Sequence, residues 1–297
     1  MRDDGPPPND PLFRPPAEAD SLILQTDIGC PYNRCRFCGM YRDVPFRRRP
    51  PDEVRALIAA ARHGQPETTR VFLADGDAMA RPYAELAFIL RELDAAFPAL
   101  TRVNAYATGR AIAAKTDDKL RRLRALRLQT LYLGLESGDE ATLTAMAKGE
   151  TAAAMVVAGQ RAQVAGLRLS VMVLLGLGGA ARSATHAAAT AAALNALQPR
   201  LLSALRVVPV PGTPLGDDVQ AGRFGLPTEH AVVAELRALV ADLRLTGTVF
   251  RANHSSNVVP LEARLPRDQG ALLATLDRLL AGNRLDRRGP GRTPLWL

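Results

Sequence analysis

Cysteine is scarce in this chain: three occur among 297 residues, and all lie within nine positions as Cys30, Cys35 and Cys38. An odd number so closely grouped argues against a disulfide framework and for thiolate ligation of a metal. Lysine is equally rare, with only Lys115, Lys119 and Lys148, so the formal charge of +8 is carried by arginine. Arginine beside heavy alanine and proline use reads as compositional bias as much as selection for a polyanion, and net charge bears on association rather than chemistry. Long apolar runs are missing too. None approaches the roughly 18 residues that read as a membrane span, and the opening MRDDGPPPND lacks the basic-then-apolar pattern of a secretory signal. These absences set the expectation of a cytoplasmic protein with no membrane partner.

What is present is a globular composition, 47% hydrophobic and 23% charged. The length accommodates one α/β barrel of roughly 200 to 250 residues plus extensions. Residues 1–20 hold six prolines, too many for a helix interior or central strand, and read as an extended arm. Beyond it, β-branched runs at 22–28, 70–74, 102–108, 130–136, 167–175, 201–210 and 248–252 alternate with stretches of helical period at 52–63, 81–95, 116–126, 152–165, 182–197, 228–243 and 268–281. Such alternation is the signature of βα units. The expected fold is therefore α/β: a full or partial (β/α) TIM-type barrel with parallel strands, one domain over 21–282, then a basic tail over 283–297 that includes Trp296. In such barrels the chemistry sits where strands end.

The first expected strand runs into Cys30-Pro-Tyr-Asn-Arg-Cys35-Arg-Phe37-Cys38, a C-x4-C-x2-C loop. Thiolates suit zinc and iron-sulfur clusters alike. A structural zinc site closes its tetrahedron with a fourth Cys or His, yet His63 and His254 are remote in sequence. Three ligands to a cluster leave one iron open. The loop resembles the signature of the radical S-adenosylmethionine (SAM) superfamily, including the aromatic Phe37 before the last cysteine. The usual spacing there is C-x3-C-x2-C, and this chain has one more residue in the first gap. The resemblance implies a 4Fe-4S cluster held by Cys30, Cys35 and Cys38, SAM on the open iron, and a 5'-deoxyadenosyl radical that abstracts a substrate hydrogen. It places Phe37 against the adenine; an ordinary core aromatic is the other reading.

Further segments follow later strands. Asp75-Gly76-Asp77 stands where the superfamily carries a Gly-Gly-Glu type turn for the methionine amino group, although Asp-Gly alone is commonly only a turn. Glu136-Ser137-Gly138, followed by Met146-Ala-Lys148-Gly149, resembles the Elp3, MiaB, NifB and oxygen-independent coproporphyrinogen oxidase-like branch, where the Glu and Ser contact the cofactor. A salt bridge from Glu136 to Lys148 or an arginine is the alternative, since a buried carboxylate needs a partner. Gly176-Leu-Gly178-Gly179 fits the adenine-binding strand end, and 210–215 is also similar to that branch.

On the substrate side, Phe250-Arg251-Ala252-Asn253-His254-Ser255-Ser256-Asn257 is dense in hydrogen-bonding groups after a strand. Arg251, Asn253, His254 and Asn257 are candidates there, with Tyr106 and Arg206 from other strands. A strand-borne arginine favours a carboxylate or phosphate, whereas His254 reads equally as a histidine satisfied by the protein. With no fourth cysteine, an auxiliary cluster and thiol-mediated methyl transfer are disfavoured. The resulting expectation is a radical SAM enzyme acting on an unidentified organic substrate, with anionic character suggested by the arginines, and drawing electrons from a one-electron donor such as flavodoxin or ferredoxin. RNA modification, motivated by Arg47 to Arg49 and the basic tail, and a non-catalytic zinc or nucleic-acid-binding protein are the alternatives.

Overall fold

The computed structural model describes residues 12–286; the start of the proline-rich arm and the tail from residue 287, with Trp296, lie outside them. The described residues pack as two compact units. One comprises residues up to Asn33, Met40–Leu133 and Ala158–Leu169, the other Arg34–Gly39, Gly134–Val157 and Ser170 onward.

In the first unit the order is β1 (Leu22–Leu24), β2 (Asp27–Ile28), β3 (Arg47–Arg48), α1 (Pro51–Gly64), β4 (Arg70–Leu73), α2 (Tyr83–Ala96), β5 (Arg102–Ala107), α3 (Gly109–Ala113), α4 (Asp117–Ala125) and β6 (Leu128–Glu136), which continues into the second unit. Strands β1, β4, β5 and β6 pair in that order and in parallel. Val71, Phe72, Leu73 and Ala74 are all fully buried, as a parallel strand covered on both faces requires. Helices α3 and α4 begin where Thr108 and Thr116 accept hydrogen bonds from Ala111 N and Lys119 N, satisfying otherwise orphaned amides. The arm expected to be extended turns at Pro16–Glu18 into a single 3-10 turn. Its Glu18 is buried and binds Ser21 Oγ, Asn104 Nδ2 and the Tyr132 hydroxyl.

The strand expected over 22–28 is two strands. After Leu24 the chain leaves β4, and β2 pairs antiparallel with β3. The corner is held by arginines: Arg49 Nε donates to Gln25 O at 2.9 Å, and Arg81 Nη2 donates to Thr26 O at 2.6 Å and Arg49 O at 3.0 Å. Arg81 also meets Asp27 Oδ2 at 3.0 Å, both side chains being almost wholly buried. Burial raises the Asp27 pKa against the lowering influence of Arg81, so the pair compensates a desolvation cost rather than adding a surplus. Arg81→Met leaves Asp27 and two carbonyls without their donor. It is expected to cost about 3–5 kcal/mol in denaturant unfolding; an unchanged midpoint would show that the corner is held by something else.

In the second unit come α5 (Glu140–Ala145), α6 (Ala152–Val164, shared with the first unit), β7 (Arg168–Leu175), α7 (Gly179–Leu197), β8 (Leu201–Arg206), α8 (Pro214–Gln220), α9 (Glu229–Asp242), β9 (Thr248–Ala252), β10 (Leu261–Leu265) and α10 (Gln269–Ala281). The strand expected to reach residue 210 ends at Arg206, because Pro209 and Pro211 have no amide to donate to a ladder. β7, β8 and β9 are parallel, but β10 is antiparallel to β9. β10 is thus an additional strand, outside the seven expected, on a mostly parallel sheet. The connection over 253–260 is shorter than the dozen or so residues a parallel crossover needs, so the chain can only return antiparallel.

Candidate functional site

In the first unit, Cys30 follows β2 and packs against the turn after β4. Asp75, in the left-handed region at φ 69°, accepts Gly29 N at 2.8 Å and Gln25 Nε2 at 2.9 Å. Gly76 N in turn donates to Gly29 O at 3.1 Å. A Cβ on Gly76 would lie 2.4 Å from Cys30 Cβ and 2.8 Å from its Sγ. The Asp-Gly pair is thus built against the first cysteine, and only glycine allows that approach. Burial pushes the Asp75 carboxyl up, opposed by the hydrogen bonds from Gly29 and Gln25.

Asp77 is buried and binds Thr108, whose hydroxyl donates to Oδ2 at 2.5 Å. Lys115 lies nearby, donating to Met79 O at 2.5 Å and Ala111 O at 3.1 Å. Burial draws its pKa down from 10.5 to about 8, with Asp77 opposing. Across that window the unfolded chain binds a proton that the folded chain does not, so this group makes stability rise with pH. Lys115→Met is expected to flatten that rise, read from denaturant midpoints on either side of the window; an unaltered rise would assign it to other groups. Tyr106 stacks edge-on to Phe72 at 4.9 Å, and burial raises its pKa.

In the second unit, Cys38 N donates to Cys35 O at 3.3 Å. Between them Arg36 is clamped by its backbone, its N donating to Met146 O at 2.9 Å and its O accepting Leu215 N at 3.0 Å. Its guanidinium pairs with Asp218. Phe37 packs against Met146, Leu177, Val207 and Leu215, the core-aromatic arrangement. Glu136 is left-handed at φ 63° and meets Lys148 Nζ at 3.2 Å, the salt bridge weighed above. Burial works against the Lys148 ammonium, but Glu136, Cys35 and Glu150 hold its pKa above the ordinary lysine value. The Ser137 hydroxyl is engaged by His186 and by Asp139 N. Gly176 is left-handed at φ 80°, and Gly178 has Arg182 and His186 side chains 3.2 Å from where its Cβ would be.

Beyond β9, Asn253 binds Glu262, and Arg251 Nε is 3.8 Å from the same carboxylate. His254 Nδ1 accepts Ser256 N at 3.1 Å and lies 2.8 Å from its hydroxyl. That fixes Nδ1 as an acceptor, consistent with burial lowering the His254 pKa. Asn257 Nδ2 donates to Ala204 O at 2.9 Å. The loop therefore spends much of its polarity on itself and on the neighbouring strands β8 and β10. Arg206, half-buried at the last position of β8, has no ion-pair partner among the described residues.

Sequence reasoning missed Lys115 as a buried amine, and it missed His186 and Glu235. The last two carried a legible signal: each interrupts the buried face of its helix, His186 beside Ala187, Thr190 and Ala191, and Glu235 beside Val232, Val233 and Leu236. The arginine run behind the RNA reading is largely consumed internally. Arg47 forks onto Glu53, Arg48 donates to Ala80 O, and Arg49 is buried.

None of the three cysteines is in a disulfide, and all are half-buried. No group of three or more His, Cys, Asp or Glu among the described residues is gathered as a metal site, so their assignment rests on donor chemistry and packing. No helix among the described residues is long and apolar enough to cross a membrane.

The βα succession and glycine-bearing strand ends define an α/β enzyme fold of the partial TIM-barrel kind. Residues 28–183 match the Radical SAM superfamily, and the chain belongs to it. It is a radical SAM enzyme, and members of this superfamily use a 4Fe-4S cluster and SAM. Solved structures agree on the fold. Coproporphyrinogen III oxidase (HemN) from Escherichia coli is 16% identical at a TM-score of 0.57, covering 74% of this chain and 51% of that one. Methanocaldococcus infernus Elp3 with an N-terminal deletion is 12% identical at 0.52, covering 88% and 62%. Methylornithine synthase (PylB) is 15% identical at 0.52, covering 92% and 83%. The chain thus spans only about half to three fifths of the HemN and Elp3 chains. No curated protein matches it.

Proposed function

We propose that Cys30, Cys35 and Cys38 hold the 4Fe-4S cluster, that SAM occupies the open iron, and that the enzyme takes a hydrogen atom from an unidentified organic substrate bearing an anionic group. The observation that carries this reading is the packing of Gly76 on Cys30, which a Cβ would fill. It joins the motif expected for SAM to the motif expected for iron. The donor set fits a cluster: three thiols outside any disulfide, one short loop, and no fourth cysteine in the chain. A 4Fe-4S cluster held by Cys30, Cys35 and Cys38 would supply one-electron reductive cleavage of SAM at this site.

The chain's own part is to hold and orient. Asp75 and Gly76 fix Cys30 through Gly29, and the Arg36 clamp fixes the segment carrying Cys35 and Cys38. Phe37, Gly76, Asp77, the Glu136–Lys148 pair, Ser137, Gly176 and Gly178 form the cofactor side in this reading. Asp75 and Ser137 act there through neighbours, since their polar atoms are already bonded to the protein. Arg206 is the strongest candidate for a substrate anion because no carboxylate among the described residues neutralises it; Arg251 already has Glu262 nearby. Tyr106, Asn253, His254 and Asn257 complete the substrate side. Residues 21–282 work as one radical SAM domain, supported by the unit boundary falling inside β6 rather than in a linker. A cytoplasmic flavodoxin or ferredoxin is the proposed electron donor.

Anaerobic reconstitution tests this. The expected product is a coloured protein with about four irons per chain that, with reductant, converts SAM to 5'-deoxyadenosine. Stoichiometric zinc without cleavage would overturn it. Tight tRNA binding that weakens steeply with salt would move the substrate from a small molecule to RNA.

A further inference from the structure

The second unit contains a buried polar chain that neither the cluster nor the substrate side uses. Ser137 Oγ lies 2.7 Å from His186 Nδ1, and His186 Nε2 lies 3.5 Å from Glu235 Oε1. Glu235 Oε1 also accepts Gly176 N at 2.7 Å, while Oε2 accepts the Ser183 hydroxyl at 2.5 Å. Ser137, His186 and Glu235 are each no more than 2% exposed. Asp139 N donates to Ser137 Oγ at 2.9 Å, so the serine is held from two sides, while the His186 ring stands between it and the Glu235 carboxylate. Burial lowers the His186 pKa, in keeping with a neutral ring.

Both ends of the chain are strand exits. Ser137 follows Glu136, a non-glycine residue held left-handed at φ 63°, a conformation that persists only when its surroundings impose it. Gly176, at φ 80°, has Pro227 2.9 Å from where a Cβ would stand. Helices α7 and α9 supply the links between these exits, through His186 and Glu235. A core needing only stability would do as well with apolar residues of similar volume. Directional bonds ending on backbone atoms fix position instead.

We infer that His186 and Glu235 are positioning residues that lock the turn Glu136–Gly138 and the turn Gly176–Gly178 into one arrangement for SAM. This rests on the cofactor side proposed above. Losing either link removes binding made equally in ground and transition states, which raises KM and spares kcat.

The test uses reconstituted holoenzyme of wild type, His186→Leu, Glu235→Leu, Glu235→Gln and Ser137→Ala, with iron content and thermal unfolding as controls. The leucine variants should raise the KM for SAM in 5'-deoxyadenosine formation by roughly tenfold or more with kcat little changed. Glu235→Gln should stay near wild type, because its amide oxygen still accepts Gly176 N. Ser137→Ala, the smallest change, carries the test if a leucine variant fails to fold, and should shift KM in the same direction. Hydrogen exchange gives a readout independent of turnover: Glu235→Leu should speed exchange in both the 136–139 and the 176–178 segments. Acceleration confined to 176–178, or an unchanged KM in folded, iron-loaded variants, would overturn the inference. A wild type that loads iron but never cleaves SAM would defeat the proposed function, while the exchange result would still decide whether the two turns are coupled.

Discussion

Cys35→Ala is expected to lose both iron retention and reductive SAM cleavage, and the same holds for Cys30→Ala and Cys38→Ala. Three thiols are the minimum that leaves a single iron open, and the chain has no fourth cysteine to substitute. With two ligands the cluster has two exposed irons, and its exchange with solvent and oxidant is no longer limited by the protein. Each alanine should therefore give colourless protein with no 5'-deoxyadenosine, against intact folding by circular dichroism. Folding should survive because all three side chains are half-buried rather than in the core. An iron-loaded, active Cys35→Ala would show that the ligand set is wrong. Loss of only one of the two readouts would separate cluster assembly from SAM chelation.

Gly76→Ala is expected to produce nearly as large a defect without touching a ligand. The added methyl would meet Cys30 Cβ at 2.4 Å, Cα at 2.6 Å and Sγ at 2.8 Å. Two of those atoms sit at the root of the side chain, so a rotamer change cannot relieve them. Either Cys30 or the turn must move, and overpacking of this kind costs about 1–3 kcal/mol. The larger effect is on iron, since displacing one thiolate by even part of an ångström misplaces it for three-point binding. Gly64→Ala is the control: nothing lies within 4 Å of the added methyl, and a helical alanine is neutral to mildly stabilising. Iron content should fall in the first and not in the second. Equal loading of the two would mean that the Gly76 contact is incidental to the metal.

Much of the fold was legible because parallel strands buried on both faces write themselves as apolar runs, and the runs at 70–74, 102–108 and 167–175 lie within two residues of β4, β5 and β7. What was hidden is short or set by distant partners. β2 and β3 are two residues each and exist because Arg49 and Arg81 hold the corner at Gln25 and Thr26. The sequence Leu-Glu-Ala-Arg-Leu of β10 has good helix formers, and only the short connection before it forces a strand.

The site divides in the same way. The cysteine spacing and the Asp-Gly turn are local and were visible. Asp75 binding back to Gly29 joins residues 46 positions apart, and Glu235 reaching Gly176 joins residues 59 apart. No local pattern encodes such pairs, although a carboxylate among valines on α9 was a hint.

β10 has β9 as its single ladder partner among the described residues. An open sheet margin is a template on which a second molecule can add a strand. Here the margin is five residues long, stands between Pro260 and Pro266, and turns Glu262 and Arg264 to solvent. Proline offers no amide to an incoming strand, and mixed charge discourages a flat apolar match. The reversed last strand therefore closes this margin, among the described residues, with features that discourage strand addition.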